Sequence, residues 1–422
     1  MSRIAILGFG VEGKSSYKYL KELNPKYEID IFDEKDIEND VVKITTVKSF
    51  LNIDFSPYGV IVRSPSIPPN PIKQKIITDK NGSHDFNLTS ATQIFFDKCP
   101  AKIIGVTGTK GKGTTASFIT SILRTAGKTV HLVGNIGEPA PDDLSNIKKD
   151  DIVVYELSSF QLWDLNKSPY IAVLTMIGPD HLDVHANFDE YVTAKENIVK
   201  SQTVGDVVVY NQDDPIIANI AMKSKGRKIA YPNKLVPNIA DWVKVPGQHN
   251  INDAMAAVTA VWGLVDGNLD VIKKSLENFV GLPHHIELVR EISDVKYYDD
   301  SFSSNPSATK VAIESFNTPI VLILGGFDKK LDFMPLADII NSTANIKKVL
   351  LIGQTKEKLA QLLNEGLYEV MDTTNFEAII KRAKDISEPN DIVLLSPGAA
   401  SFDMFRDFYD RGEKFKEIVN KL

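Results

Sequence analysis

The hydrophobic pattern along the chain is a series of short, continuous, β-branched runs separated by stretches of helical spacing. Runs at 3–7, 28–33 and 59–63 open the series, and those at 102–106, 129–133, 151–157, 170–177 and 206–210 continue it. Further runs stand at 319–324, 348–352 and 392–395. Continuous rather than alternating apolar residues mark strands buried on both faces, and helical connections between them make parallel pairing natural. Helical spacing is clearest up to Leu23, from Thr114 to Ala126, from Phe188 to Lys200 and from Asp253 to Val265. The class is α/β. A Pro/Asn/Gly-rich stretch at 65–83 leads to one boundary near residue 97, and Gly281-Leu-Pro-His-His-Ile-Glu287 marks another. Three α/β domains follow: 1–97, 98–282 and 283–422. No repeat or low-complexity segment complicates this division.

One stretch stands out, Lys102-Ile-Ile-Gly-Val-Thr-Gly-Thr-Lys-Gly-Lys-Gly-Thr-Thr115. A buried strand runs into a glycine-rich turn and a helix starts directly after it. Gly108, Gly111 and Gly113 let the backbone curl so that its N–H groups point inwards, and the helix start favours an anion. Lys112 sits where a phosphate-cradling lysine should sit. Two positions depart from the usual G-x-x-x-x-G-K-[ST]: Val106 replaces the first glycine, and Gly113 the hydroxyl residue after the lysine. The bland alternative is a strand–helix turn with an incidental lysine. The N-terminal segment carries a second such turn, Gly8-Phe-Gly-Val-Glu-Gly13-Lys-Ser15, with Asp33 closing the next strand. Its literal reading is a dinucleotide site, but the same turn holds any diphosphate. The first domain is therefore expected to be Rossmann-like, the second a P-loop ATPase-like domain and the third Rossmann-like again.

Composition narrows the partners. The 422 residues carry a formal net charge of −7, which disfavours a nucleic-acid or membrane-surface partner but not phosphorylated small molecules. Cys99 is the sole cysteine, so no internal disulfide or cysteine metal cluster forms, and a reducing, cytoplasmic setting is expected. The first strand starts too early for a signal sequence, and no apolar run approaches the ~20 residues of a membrane span.

Polar sets cluster at or beyond strand ends: Gly134-Asn-Ile-Gly137, Glu156-Leu-Ser-Ser-Phe-Gln-Leu162 and Gly178-Pro-Asp-His-Leu-Asp183. A bound triphosphate needs a hard divalent cation, and Glu156 is the best candidate ligand, with His181 in reach of the same crevice. Each also has a plain reading, an acid at a helix start and a satisfied loop histidine. Lys195 fits an ordinary solvated helix face. A diphosphate turn beside a triphosphate site suggests two phosphorylated molecules, which suits an ATP-driven ligase better than a dehydrogenase or a kinase.

These blocks resemble the ATP-dependent Mur ligases of peptidoglycan synthesis. Thr107-Gly-Thr-Lys-Gly-Lys112, the three polar sets and Gly247-Gln-His-Asn250 look like family blocks in family order. Leu322-Ile-Leu-Gly-Gly-Phe-Asp-Lys329, Leu394-Leu-Ser-Pro-Gly-Ala-Ala-Ser-Phe-Asp403 and the stretch to Phe408 and Arg411 resemble its D-glutamate-adding members. The resemblance implies phosphorylation of UDP-N-acetylmuramoyl-L-alanine by ATP, attack of D-glutamate on the acyl phosphate, and release of ADP and phosphate. It implies a monomer with two Mg²⁺ ions. Lys112, Glu156, His181 and Lys195 would be catalytic. Gly108, Thr109, Lys110, Gly111, Lys112, Gly113, Thr114, Asn250 and Asp300 would hold ATP. Thr114, Glu156, His181 and Lys195 would serve the metals, the lysine as a carbamate. A carbamate needs a neutral amine, so Lys195 would have to be buried. Gly8, Gly10, Gly13, Ser15, Asp33, Ser64, Asn135 and Ser158 would bind the UDP substrate. Ser304, Lys329, Ser401, Phe402 and Phe408 would bind D-glutamate.

The chain departs from the family pattern at His285, Phe302 and Asp253, where arginine, lysine and asparagine are usual. The rival readings are a folylpolyglutamate synthase-like ligase, a Mur-type ligase of other amino-acid choice, an NAD-dependent oxidoreductase and a non-enzymatic nucleotide-binding relative.

Overall fold

The computed structural model describes residues 3–39, 41–137 and 139–422. Three sheets form, each from strands consecutive in sequence. The first holds β1 (Arg3–Leu7), β2 (Ile29–Asp33), β3 (Ile44–Thr46), β4 (Tyr58–Arg63) and β5 (Asn87–Ser90), in the parallel order β3-β2-β1-β4-β5. The second holds β6 (Lys102–Thr107), β7 (Val130–Gly134), β8 (Ile152–Glu156), β9 (Ile171–Leu174), β10 (Val207–Asn211) and β11 (Arg227–Tyr231). Its order is β11-β10-β9-β6-β8-β7, also parallel.

The third sheet holds β12 (Glu287–Ile292), β13 (Val295–Asp299), β14 (Ile320–Gly325), β15 (Ile346–Ile352), β16 (Tyr368–Val370) and β17 (Ile392–Leu395). Its order is β12-β13-β17-β14-β15-β16, with β12 and β13 joined as an antiparallel pair. The α/β class with three mainly parallel sheets is the one the apolar runs predict. By compactness the chain forms two units, Met1–Ile239 with Asn252–Leu276, and Ala240–Ile251 with Glu277–Leu422. The first two sheets share one unit.

Burial explains the strands. Ile320, Val321, Leu322, Ile323 and Leu324 of β14 have no exposed surface, as a strand covered on both faces requires. Each such side chain contributes roughly 1.5–3 kcal/mol when fully removed from water. The helix Lys112–Thr125 buries Ala116, Phe118, Ile119, Ile122 and Leu123, spaced as one face of a helix. No helix among the described residues is long and apolar enough to cross a membrane.

Topology places the chemistry. In the first sheet the strand order departs in opposite directions from β1, and in the second from β6. Ligands of open α/β sheets bind outside the carboxyl ends of the strands at such switch points. Both glycine turns follow these two strands.

Candidate active site

The phosphate loop leaves β6 at Thr107, whose hydroxyl donates to the Leu157 carbonyl at 2.8 Å. Gly108 has no room for a side chain, since a Cβ there would stand 1.9 Å from Thr175 Oγ1. Thr175, just beyond β9, uses that approach to donate to the Lys110 carbonyl at 2.7 Å. The Thr109 hydroxyl donates to the Gly178 carbonyl at 2.9 Å, and Tyr191 Oη lies 2.9 Å from it. Lys110 is exposed. Gly111, at φ +82°, caps the helix Lys112–Thr125 and, having no side chain, takes none of the amides at the helix start for itself. Lys112 Nζ donates to the Thr109 carbonyl at 3.0 Å, curled over its own loop. Gly113 and Thr114 are half-buried, while Thr115 is fully buried.

Two further groups converge here. Glu156 ends β8 and is buried, which raises its carboxyl above the usual range, against the pull of Lys112, Asn135 and Lys195. Lys195 is the correction. The plain reading of a solvated helix face fails and the burial that the family resemblance requires is found: Lys195 is 1% exposed and its Nζ donates to the Gly108 carbonyl at 2.7 Å. Tyr191, Lys195, Ile198 and Val199 are all buried on one helix, and their spacing of four, three and one places the lysine inside the apolar stripe. Burial, and then the charge of Lys112, hold its amine well below the usual lysine range, with Asp180 and Glu156 opposing. Lys112 is lowered by burial too, against Glu156, Asp180 and Asp253.

His181 has left-handed backbone, φ +53°, and an exposed ring 4.9 Å from that of Phe160. The sequence reading passed over its neighbour His185, which is buried, stacks on Phe160 at 5.3 Å and lies 3.0 Å from Ser159 Oγ. A strand, its glycine loop, the half-buried Lys112, the buried Lys195 and the buried Glu156 thus meet at the start of the helix Lys112–Thr125.

Comparison with known proteins settles the family. Residues 106–234 match the model of the Mur ligase middle domain, and 285–398 that of the Mur ligase, glutamate ligase domain. The UDP-N-acetylmuramoylalanine--D-glutamate ligase of Clostridium tetani is 35% identical over 452 aligned residues, covering 100% of this chain and 97% of the relative. That of Acetivibrio thermocellus is 35% identical over 462, covering 100% and 96%. The chain belongs to the Mur ligases. Its fold is that of the UDP-N-acetylmuramate-alanine ligase of Thermotoga maritima, TM-score 0.60 at 16% identity with both chains covered 100%. The Thermotoga maritima MurF ligase, solved in complex with ADP, matches at TM-score 0.58 and 16% identity, covering 100% of this chain and 96% of that one.

In this Mur ligase the N-terminal turn is held from several sides. Gly8, at φ +82°, lies so close to Ser64 that a Cβ would stand 2.6 Å from its Oγ, and that hydroxyl donates to the Gly8 carbonyl at 3.0 Å. A Cβ at Gly13 would stand 2.1 Å from the Gly8 carbonyl oxygen, whereas Gly10 has open space. Asp33 accepts from the Phe9 and Lys35 amides at 2.7 and 2.8 Å, so its carboxylate braces the turn. The Ser15 hydroxyl is buried without a partner. Ser158 and Gln161 form a capping box, and Gln161 Nε2 reaches across to Glu12 at 2.7 Å. Asn135 is exposed, its amide donating to the Glu156 carbonyl at 3.3 Å.

Arg63 is a residue the motifs did not flag. Its fully buried guanidinium pairs with Asp164 and donates to the carbonyls of Pro65 and Phe160, at 3.0 and 3.2 Å. The available signal was an arginine closing an otherwise apolar strand.

In the second compact unit, Asn250 donates to the Pro246 carbonyl at 2.6 Å. Asp300 is buried, accepts the Ser396 hydroxyl at 2.6 Å, and is pushed up to about 7 by burial. Lys329 is exposed, with Nζ 5.6 Å from the centre of the exposed Phe402 ring. Ser401 is buried. Phe408 packs edge-on to Phe302 at 5.1 Å, and the Ser304 amide donates to the Phe302 carbonyl at 2.7 Å. Among the departures, His285 stacks on Phe302 at 4.0 Å, and burial brings its imidazole down to about 4. The two rings form an aromatic pair, which carries no charge near neutral pH. The buried Arg411 donates to Ser301 Oγ, to the Ser301 carbonyl and to the Ala399 carbonyl at 2.9, 2.8 and 3.2 Å, fixing the segment before Ser401.

Proposed function

We propose that the chain joins D-glutamate to UDP-N-acetylmuramoyl-L-alanine at the expense of ATP, making a peptidoglycan precursor. The observation that carries this reading is the convergence of Lys112, Glu156 and Lys195 on the loop after β6. A carboxylate oxygen of the muramoyl-alanine attacks the γ-phosphorus of ATP, and the bond to the β-phosphate oxygen breaks to release ADP. The D-glutamate amine then attacks the acyl carbon, loses a proton, and expels phosphate. Little covalent chemistry falls to the protein, so positioned charge is the main contribution. Lys112 and the free amides of the helix start stabilise the phosphoryl group in transfer.

The donor set fits Mg²⁺: Glu156 supplies a buried carboxylate, Thr114 a hydroxyl and His181 a ring nitrogen at the rim. When bound, the ions screen the substrate carboxylate from the anionic phosphate. Lys195 suits carbamylation, because its buried amine is held towards the neutral form that reacts with CO₂. The carbamate turns a cation into an oxygen ligand.

The other assignments follow from the same reading. Segment 1–97 holds the UDP part through Gly8, Gly10, Gly13, Ser15, Asp33 and Ser64, with Asn135 and Ser158 from the central segment. Segment 98–282 holds ATP at Gly108 to Thr114, with Asn250 and, from beyond it, Asp300. Segment 283–422 holds D-glutamate through Ser304, Lys329, Ser401, Phe402 and Phe408, a cation facing a carboxylate. ATP and a UDP-linked precursor are cytoplasmic substrates, and the reaction belongs there. ADP release by the purified chain with UDP-N-acetylmuramoyl-L-alanine and a panel of amino acids tests the proposal. Turnover should require D-glutamate; turnover that ignores it would sink the assignment.

A further inference from the structure

Against the phosphate loop lies an acid for which the reaction above has no use. Asp253 lies on the helix Gln248–Val261 and is 8% exposed. Its carboxyl sits on Gly111: a Cβ there would stand 2.3 Å from Oδ1 and 2.9 Å from Oδ2. Only glycine admits the carboxyl so close to the turn that opens the helix Lys112–Thr125. That is the end where a helix presents its positive charge and its unclaimed amides. Lys112 faces the carboxyl from the same turn. The Thr115 hydroxyl, fully buried, also faces it and favours its charged form. From β11, Tyr231 feels the same charge, but its hydroxyl is committed to the Leu174 carbonyl at 3.0 Å. A buried carboxyl therefore occupies a seat whose polar surroundings suit phosphate oxygens.

We propose that Asp253 is an internal occupant of the phosphate seat, and that a nucleotide polyphosphate enters only as this carboxyl gives up its negative charge. The inference rests on the reading of the loop as the ATP site. Two anions cannot share so small and dry a space, so the carboxylate takes a proton from solvent as the polyphosphate arrives. Burial already pushes the Asp253 carboxyl up to about 8, with Thr115 and Lys112 opposing, so that proton is available near neutral pH. No other reactant is needed. The consequence is a nucleotide affinity that weakens as pH rises.

Calorimetric titration of the full chain with a non-hydrolysable ATP analogue and Mg²⁺, in two buffers of different ionisation enthalpy, counts the protons taken up. Near pH 8 the native chain should take up about half a proton per nucleotide, and above that its affinity should fall by up to about tenfold per pH unit. Asp253→Asn should bind without that uptake, more tightly at pH 9, and with little pH dependence. Uptake that persists in Asp253→Asn assigns the proton to Glu156 or Lys195 and overturns the proposal. Binding to the native chain that needs Lys112 yet moves no proton overturns it alone, whether or not the variant folds. Failure of the native chain to bind the nucleotide overturns the loop's assignment and this proposal with it.

Discussion

Residues 8–15 and 108–115 are both glycine turns that lead from the first strand of a parallel sheet into a helix, yet they are equipped for different charge. Each has a left-handed glycine, Gly8 and Gly111, both at φ +82°. Each has a lysine in the same local setting, Gly13-Lys14-Ser15 against Gly111-Lys112-Gly113. The fates of the lysines diverge. Lys14 is exposed, with Nζ 6.0 Å from the Phe9 ring, whereas the half-buried Lys112 turns back onto its loop, close to the buried Lys195. What differs is the neighbouring structure. Ser64 meets the first turn from beyond β4. Glu156 from β8 and Lys195 from the helix after β9 meet the second. A backbone turn suffices to seat a diphosphate that stays intact, but a phosphoryl group in transfer needs cations aimed at its developing charge.

The sharpest way to break this comparison is to remove each lysine in turn. Lys112→Ala should lower turnover by about 10²–10³-fold, the cost of losing one preorganised charge at the reacting group. Lys14→Ala should change it less than about twofold, with thermal melts unaltered in both. Equal losses would mean that the two turns do the same job. Lys195→Ala should fall as far as Lys112→Ala, and small carboxylates should restore part of the rate by supplying the missing oxygen ligand. No response to them would argue against a carbamate.

The same contrast shows how far the chain could be read without coordinates. Long apolar runs were legible because strands buried on both faces leave no polar gaps: β1, β14 and β17 lie within a residue of expectation. Short edge strands such as β3 and β16 were not, since three residues carry no period. The pair β12 and β13 was missed for a related reason, as β12 is half-exposed and polar. The helix before Val261 starts at Gln248, several residues ahead of its alanine-rich part. At the site, the glycines and Lys112 form a local motif and were legible. Thr175, Arg63 and His185 act through contacts distant in sequence, for which spacing offers no cue. Read from spacing alone, Lys195 was misjudged because polarity was weighed before angular position, whereas the family resemblance required the burial that is found. It stands four residues after Tyr191 and three before Ile198, both buried.

Glycine substitutions sharpen the comparison at lower cost. Gly8→Ala forces a Cβ into left-handed backbone and against Ser64 Oγ at 2.6 Å, strain worth about 1–3 kcal/mol. With this turn proposed to bind the UDP substrate and take no part in phosphoryl transfer, the KM for that substrate should rise about tenfold with kcat little changed. Gly10→Ala has open space and no left-handed backbone, and should move KM by less than about threefold. A loss of kcat in Gly8→Ala, measured at saturating UDP substrate, would show that the first turn shapes the reacting centre.

The smallest effect concerns the buried acids, because each turn has one. Glu12 Oε1 accepts from Gln161 Nε2 at 2.7 Å, while Oε2 is buried without a partner. Burial raises its carboxyl above the ordinary value of 4.5, with Gln161 and Arg63 opposing. Between the unfolded and the raised folded value, the native state holds more protons than the unfolded one, so this group's contribution to stability declines as pH rises through that window. Glu12→Gln removes the titration but leaves a side chain whose own carbonyl oxygen still accepts from Gln161. Its melting temperature should exceed that of the native chain by about 2 °C more at pH 8 than at pH 4. An equal difference at both values would mean that Glu12 does not titrate in this range. Asp253 then differs from Glu12 in kind. Both acids are buried beside a helix start, but Gln161 occupies one oxygen of Glu12, whereas the Asp253 carboxyl lies against Gly111, where a phosphate competes for its place.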